Sequence, residues 1–192
     1  MILYLHGFRS SPQSWKARLL GETLAAQGLA GEYACPALSH EPNVAIAQAE
    51  AIIHTAKTAG KSVTLVGSSL GGFYASYLAE THDLRAVLIN PAVLAPISLS
   101  RYIGTQQWMY SAATFEFTAE HVAQLEQLER AYMPHITPRR YLLLVEEGDE
   151  VLDYRHAVAR YQGSQQVVLP GGDHSFTRYP DYVPQILHFA KM

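Results

Sequence analysis

The sequence predicts a three-layer α/β fold, a mostly parallel sheet of about six strands with helices on both faces. Three observations predict it. Short apolar runs alternate with stretches of helical periodicity from end to end, the pattern of parallel strands joined by crossover helices. Most of these runs are apolar at successive rather than alternate positions, as strands covered on both faces are. The length, 192 residues with 48% hydrophobic and 16% charged, suits one domain that buries about 70% of the surface its unfolded chain exposes. Such a core needs neither a disulfide nor a metal.

The strand candidates are Ile2–Leu5, the weaker Glu32–Cys35, Val63–Val66, Ala86–Ile89, Tyr141–Val145 and Val167–Leu169. Between the first two, Ser11 and Pro12 offer a hydroxyl cap and a proline at the first helical position. Trp15, Leu19 and Leu24 then fall near one face, and Gly28 ends the pattern. Ala45 to Ala59 is rich in Ala, Ile and Gln and meets Gly60, a C-terminal stop. Phe73–Glu80 reads as a helix after the third strand. Tyr154, Ala157, Val158 and Tyr161 stand at i, i+3, i+4 and i+7 between Asp153 and Gly163, a short amphipathic helix with both ends marked. Asp181 to Lys191, with Val183, Ile186, Leu187 and Ala190, closes the fold.

One stretch breaks the alternation. About fifty residues separate Ile89 from Tyr141, more than a crossover needs. Pro96–Phe117 reads as irregular and aromatic, and Thr118 caps a helix whose apolar face is Val122, Leu125 and Leu128. A single domain over residues 1–192 is therefore expected, with a small cap-like helical insertion at about 96–138.

Lys plus Arg number 14 against 17 Asp plus Glu, a net charge of −3. This weakly acidic balance lacks the electrostatic footprint of a nucleic-acid or anionic-membrane binder. No apolar run approaches the ~18 residues of a membrane span. Met1 leads directly into Ile2-Leu3-Tyr4-Leu5, and His6-Gly7 ends that run, unlike a basic, then long apolar, leader. The single cysteine, Cys35, fits a reducing compartment. A soluble cytoplasmic protein is expected, with no nucleic-acid partner and no stable membrane association.

The sharpest motif is Gly67-Ser68-Ser69-Leu70-Gly71, which fits G-x-S-x-G with Ser69 at its centre. It follows a strand and precedes a helix, the context that gives the pattern meaning. The three fixed positions alone would occur by chance in about one such chain in twenty, so the flanks carry the weight. A structural reading, a glycine-rich turn with inert serines, competes. Sterically, the glycines let strand and helix crowd a strained serine whose Oγ is exposed at a helix N-terminus, where negative charge is favoured. Ser68 is the rival hydroxyl but occupies the x position.

A serine hydroxyl needs a base. On the α/β-hydrolase plan acid and base follow in the order Ser, Asp or Glu, His, in loops at the C-terminal sheet edge. After Tyr141–Val145 comes Glu146-Glu147-Gly148-Asp149-Glu150, and Asp149 is the candidate acid. Glu147 and Asp153 compete, but Asp153 is better explained as the next helix's cap. Taken alone, Asp149 would read as a turn aspartate. After the last strand comes Pro170-Gly171-Gly172-Asp173-His174-Ser175-Phe176. Of nine histidines, His174 alone lies in the loop between the final strand and the final helix. Leu5-His6-Gly7-Phe8 ends the first strand, where a His-Gly loop contributes an oxyanion donor on this plan. The backbone N–H groups of Phe8 and Leu70 are the candidate donors, and His6 reads as a loop-shaping residue. Tyr102, Trp108, Met109 and Phe115 are candidates to line an acyl pocket, against the plainer reading that they pack the insertion onto the sheet.

Five motifs in order carry a family resemblance: Leu5-His6-Gly7-Phe8 with Ser10-Ser11-Pro12, Val66 to Ala75, Ile89-Asn90-Pro91-Ala92-Val93, Gly148 to Arg155, and Gly171 to Phe176. Together they resemble the YqiA-like esterases, small bacterial α/β-hydrolases. The resemblance runs end to end and is weakest over Ile97–Tyr132. It implies hydrolysis of carboxylic esters, extending to acyl-thioesters such as acyl-CoA, by a triad at Ser69, Asp149 and His174. No metal or cofactor is required, and the partner is a small-molecule ester or thioester. Larger members of the fold begin with extra strands, so a trimmed sheet is implied. Two other classes stay open: a non-enzymatic binding protein on this fold, and a peptidase-like or carbon–carbon hydrolase using the same residues.

Overall fold

Successive residues of a strand point to opposite faces of its sheet, and here both sets are apolar. The computed structural model describes residues 1–191. In chain order the elements are β1 (Ile2–Leu5), α1 (Trp15–Ala26), β2 (Tyr33–Ala34), α2 (Pro42–Thr58), β3 (Thr64–Ser68), α3 (Leu70–His82) and β4 (Arg85–Ile89). There follow α4 (Ala95–Ser100), β5 (Gly104–Gln107), β6 (Thr114–Phe117), α5 (Ala119–Tyr132), β7 (Tyr141–Glu146), α6 (Tyr154–Arg160), β8 (Gln165–Leu169) and α7 (Tyr179–Ala190). Six strands form one sheet in the order β2-β1-β3-β4-β7-β8, and every pairing in it is parallel.

Ile2, Tyr4, Val66, Val87, Ile89, Leu142 and Leu144 face α1 and α7 through Leu20, Leu24, Val183 and Ile186. Leu3, Leu5, Leu65, Leu88, Leu143 and Val145 face the other way, against Ile53 of α2, Phe73 and Leu78 of α3, Leu125 of α5 and Ala157 of α6. These are the three expected layers. From β1 the chain first adds β2 on one side and then β3, β4, β7 and β8 on the other. The direction reverses between β1 and β3, and a crevice opens beyond the carboxyl ends of strands at such a point.

The six sheet strands fall where the apolar runs place them, but three local expectations need correction. Ser11 and Pro12 do not start α1. Ser11 Oγ accepts the Gln13 N–H and the Ser11 carbonyl accepts the Ser14 N–H, which closes a turn first, so the helix begins at Trp15. Its buried face is Lys16, Ala17, Leu20 and Leu24, while Trp15 is exposed. Helix α2 starts at Pro42, earlier than its alanine-rich body suggests, because proline suits the first turn. Residues 96–117 are not irregular. They hold α4 and an antiparallel β5–β6 hairpin pairing Gly104 with Phe117 and Gln107 with Thr114. The hairpin buries Phe115 and Phe117 while Thr114 and Glu116 face out.

After it, Thr118 and His121 cap α5 reciprocally. Thr118 Oγ1 accepts the His121 N–H, and His121 Nδ1 accepts the Thr118 N–H, as a capping box does with glutamate. Leu99, Phe115, Phe117, Leu125 and Leu128 join the same apolar cluster as the sheet face beneath them.

At the crevice the backbones of β1, β3 and α3 touch without side chains between them. A Cβ on Gly71 would overlap the Leu5 carbonyl, and one on Gly67 the Gly71 carbonyl. Neither neighbour is a flexible side chain, so neither can yield cheaply. Gly71→Ala is expected to cost at least about 3 kcal/mol. Urea unfolding measures it; a loss under about 1 kcal/mol would show that α3 can move away from β1.

Candidate active site

Between β3 and α3 stands one residue, Ser69. Its backbone is at φ 55°, ψ −121°, a conformation costing about 1–3 kcal/mol for a residue with a Cβ. Hydrogen bonds on both sides of the peptide hold it. The Ser69 N–H donates to the Ile89 carbonyl (3.0 Å), and the Ser69 carbonyl accepts from Gly72 (2.9 Å) and Ala92 (3.0 Å). The β1 loop closes in from the third side: a Cβ on Gly7 would lie 3.2 Å from the Ser69 Cβ. The hydroxyl therefore stands at the amino end of α3, over the crevice.

The loops after β7 and β8 bring the other two candidates to it. His174 Nδ1 lies 2.8 Å from Asp149 Oδ2, and His174 Nε2 lies 3.1 Å from Ser69 Oγ. A carboxylate only accepts, so Nδ1 carries the proton and Nε2 faces the serine O–H with its lone pair. Asp149 Oδ1 accepts from the Val151 (2.9 Å) and Leu152 (2.8 Å) N–H groups. The carboxylate is 2% exposed and the imidazole 22%, so the carboxylate is fixed while the imidazole keeps access to the crevice.

The competitors are not part of this row. Ser68 is buried. Glu147 accepts from the Tyr154 hydroxyl. Asp153 caps α6 through the Arg155 N–H.

The Phe8 and Leu70 N–H groups donate to no acceptor among the described residues, and Leu70 is the first residue of α3. The two candidate donors are thus free, one of them at the positive end of a helix. His6 is nearly buried. Its Nε2 accepts the Leu38 N–H (3.0 Å) and its Nδ1 faces the Gly7 carbonyl (3.1 Å). Burial lowers its pKa, with the Gly7 bond opposing. Through these two bonds it clamps the loop, and no hydrogen bond joins it to the serine.

Of the four aromatic and Met candidates for the pocket, two reach the crevice. Tyr102 and Met109 line a mostly apolar cleft of about 160 Å³ with Leu99, Val151 and Leu152, open to Ser69 and His174, whose lining also includes Arg9 and Arg101. Phe115 and Trp108 sit behind it. Phe115 is buried, its ring 4.7 Å from that of Trp108 and 5.9 Å from that of Phe8. Phe117 and Tyr102 also meet the Phe8 ring, at 4.9 and 5.6 Å. The aromatic residues of the insertion thus hold the side chain whose backbone N–H faces the crevice. Among the described residues no cluster of His, Cys, Asp or Glu has the arrangement to hold a metal ion. None of the described helices is long and apolar enough to cross a membrane.

Sequence reading missed the groups that hold the histidine loop. Asn90, buried and at φ 40°, follows β4. Its Nδ2 donates to the Asp173 (3.0 Å) and His174 (3.2 Å) carbonyls, and its Oδ1 accepts the Glu146 N–H (3.0 Å). Glu146, fully buried at the end of β7, accepts from the Asp173 N–H (2.7 Å) and from Arg178 Nε (2.6 Å). A Cβ on Gly172, at φ +80°, would run into that carboxylate. The signal was present as a polar residue at the end of each of two apolar strands, where a hydrophobic core has no use for it unless it is paired.

A hydroxyl, an imidazole and a carboxylate thus stand in a bonded row at the carboxyl edge of a parallel sheet, after β3, β8 and β7, and the fold is that of the α/β-hydrolases. Solved structures agree on the fold. The chain is similar to Est1E from Butyrivibrio proteoclasticus with ferulic acid bound, at 16% identity and TM-score 0.70, covering 99% of this chain and 87% of that one. It is similar to the esterase domain of a Rhodothermus marinus protein, at 18% identity and TM-score 0.69, covering 99% and 85%. It is also similar to a monoacylglycerol lipase of Paleococcus ferrophilus, at 15% identity and TM-score 0.66, covering 98% and 94%. Residues 1–191 match UPF0227, an uncharacterised protein family, and the chain belongs to that family.

Asn90→Ala would leave one buried N–H and two carbonyls without partners, an expected loss of about 2–4 kcal/mol. Amide exchange at residues 171–176 should quicken more than in β1. A loss under about 1 kcal/mol, with exchange in that loop unchanged, would contradict the tie.

Proposed function

We propose that the chain is a serine hydrolase that cleaves carboxylic esters, and acyl-thioesters with them, through an acyl-enzyme. The observation that carries this reading is the bonded row Asp149–His174–Ser69 beside two unpartnered N–H groups. Ser69 Oγ attacks the acyl carbon as His174 Nε2 takes its proton. The oxyanion settles between the Phe8 and Leu70 N–H groups, which need no reorganisation to receive it. His174 returns the proton to the leaving oxygen or sulfur, and the acyl–Oγ bond remains. Water, deprotonated by the same nitrogen, then releases the acid and restores the serine. Asp149 holds the Nδ1–H tautomer and stabilises the imidazolium.

The apolar cleft of Leu99, Tyr102, Val151 and Leu152 supports an acyl or other apolar arm of a small-molecule substrate. Residues 96–138 act in this reading as a cap within a single domain, lending Leu99 and Tyr102 to the cleft and rings to hold Phe8. The esterase and lipase names of the structural neighbours lend support through the shared fold. A fully equipped site weighs against a purely binding role on the same fold.

Fluorophosphonate probes should label the protein at Ser69, and Ser69→Ala should lose the label and about 10⁴–10⁶ in kcat on p-nitrophenyl esters. Asp149→Asn should cost about 10⁴. A folded Ser69→Ala that kept its rate would overturn the assignment, and a panel of p-nitrophenyl esters and acyl-CoA thioesters separates the two substrate classes.

A further inference from the structure

A second cleft, of about 200 Å³, meets the same serine from the α1 side. Tyr4, Ser10, Ser14, Trp15, Lys16, Tyr110 and Ser175 line it, and Phe8, Ser69, Met109 and His174 belong to both clefts. The two differ in chemistry. The first, mostly apolar through Leu99, Val151 and Leu152, also holds Arg9, whose Nε donates to the Gln107 carbonyl, and Arg101, which lies over the Tyr102 ring; the second adds hydroxyls and a buried ammonium to the rings of Tyr4, Trp15 and Tyr110.

That ammonium is the unusual group. Lys16 is 8% exposed, and lysine is almost never so buried without a partner. Nζ donates to one acceptor, the carbonyl of Ser175 at 2.8 Å, next to His174. No carboxylate lies within ion-pair distance of it among the described residues; Asp173, Asp149 and Glu146 act on it from farther off. A buried charge without a counter-ion costs several kcal/mol, yet this one is kept beside a candidate nucleophile.

Ser14 gives an independent observation. It too is 8% exposed and lines the cleft, and its Oγ has no hydrogen-bond partner among the described residues. It precedes α1, twelve residues long, whose first-turn N–H groups favour a negative group. An ammonium lacking an anion and a hydroxyl lacking a partner thus share one wall.

Resting on the serine-hydrolase reading above, we propose that the second cleft binds a carboxylate carried by the substrate, so that the natural ester has one apolar arm and one anionic arm. Lys16 and Ser14 recognise the anionic arm. One ammonium among three acids suits a monoanion better than a phosphate dianion. Asp173, Asp149 and Glu146 act on Lys16, the Trp15 ring centroid lies 5.8 Å from its Nζ, and His174, Tyr4 and Tyr110 line the same cleft. Burial lowers the Lys16 pKa to about 8, with the three acids opposing. The ammonium is therefore charged below pH 8 and neutral above it, and preference for an anionic arm should fade as pH rises through that value.

The test uses two pairs of esters matched in size. p-Nitrophenyl hemisuccinate against p-nitrophenyl butyrate places the carboxylate on the acyl arm. Butyryl glycolate against ethyl butyrate places it on the leaving arm. The readout is the ratio of kcat/KM within each pair, anionic over neutral, in which effects on His174 common to both substrates cancel. Lys16→Met should lower the ratio about 10–100-fold in at least one pair, and the wild-type ratio should fall in that pair between pH 7 and 9. Equal loss on both members of both pairs would make Lys16 only a tie to the Ser175 carbonyl and overturn the inference. If the variant does not fold, Lys16→Gln, which keeps a donor for the Ser175 carbonyl, takes its place, and ratios unchanged from wild type in both pairs overturn the inference as well. Fluorophosphonate labelling of Ser69 separates the two readings. Labelling with unchanged ratios sinks the anionic subsite alone, whereas absent labelling sinks the hydrolase reading beneath it.

Discussion

The close contact of three backbones, at the ends of β1 and β3 and the start of α3, is the constraint on which the rest of the site depends. With glycine at 67 and 71, the carbonyl of Leu5, the turn at Ser69 and the first turn of α3 approach more closely than any side chain permits, and glycine at 7 lets the β1 loop close on Ser69. That contact forces Ser69 to φ 55° and aims its hydroxyl out of the sheet. It also leaves the first N–H of α3, and the N–H of Phe8 after Gly7, without an acceptor among the described residues. One steric fact thus supplies both the exposed oxygen and the donors that would stabilise charge near it. Strain of about 1–3 kcal/mol at one residue is small against a core that covers both faces of the four central strands.

The opposite side of the site is built differently. His174 lies in a loop, and loops lack the rigidity of a strand–helix junction. Polar side chains supply it instead. Asn90 and Glu146, at the ends of two central strands, bind the backbone of Asp173 and His174 directly, and Arg178 closes the network from the start of α7. Buried polar groups of this kind stabilise only when fully satisfied, and these are bonded at both ends. Backbone packing therefore fixes the serine, while a side-chain network fixes the imidazole, and the reach between them is 3.1 Å.

Most of the fold was legible in the sequence because doubly covered strands leave an unambiguous apolar record. Ser69, Asp149 and His174 could be placed in order because each follows such a strand. The hairpin of residues 104–117 was hidden because one of its faces is polar; Thr114 and Glu116 alternate with Phe115 and Phe117 within only four residues. The start of α1 was misplaced because the Ser11 hydroxyl is engaged in a turn of its own. Lys16 could not be read at all. Nothing in its neighbours along the chain says that its ammonium is buried, since that follows from α1 packing beside the loop of His174. Trp108 and Phe115 illustrate the same limit in reverse: composition marks them as large and apolar, but only the fold puts them behind Phe8.

The most direct measurement is a crystal structure of the protein after reaction with a methylphosphonate ester, whose tetrahedral phosphorus resembles the intermediate of ester cleavage. Phosphorus should be bonded to Ser69 Oγ, with a non-bridging oxygen about 2.7–3.1 Å from both the Phe8 and Leu70 nitrogens and His174 Nε2 on the side from which the leaving group departed. A phosphoryl group on another residue, or on Ser69 with its oxygen turned away from both nitrogens, would contradict it.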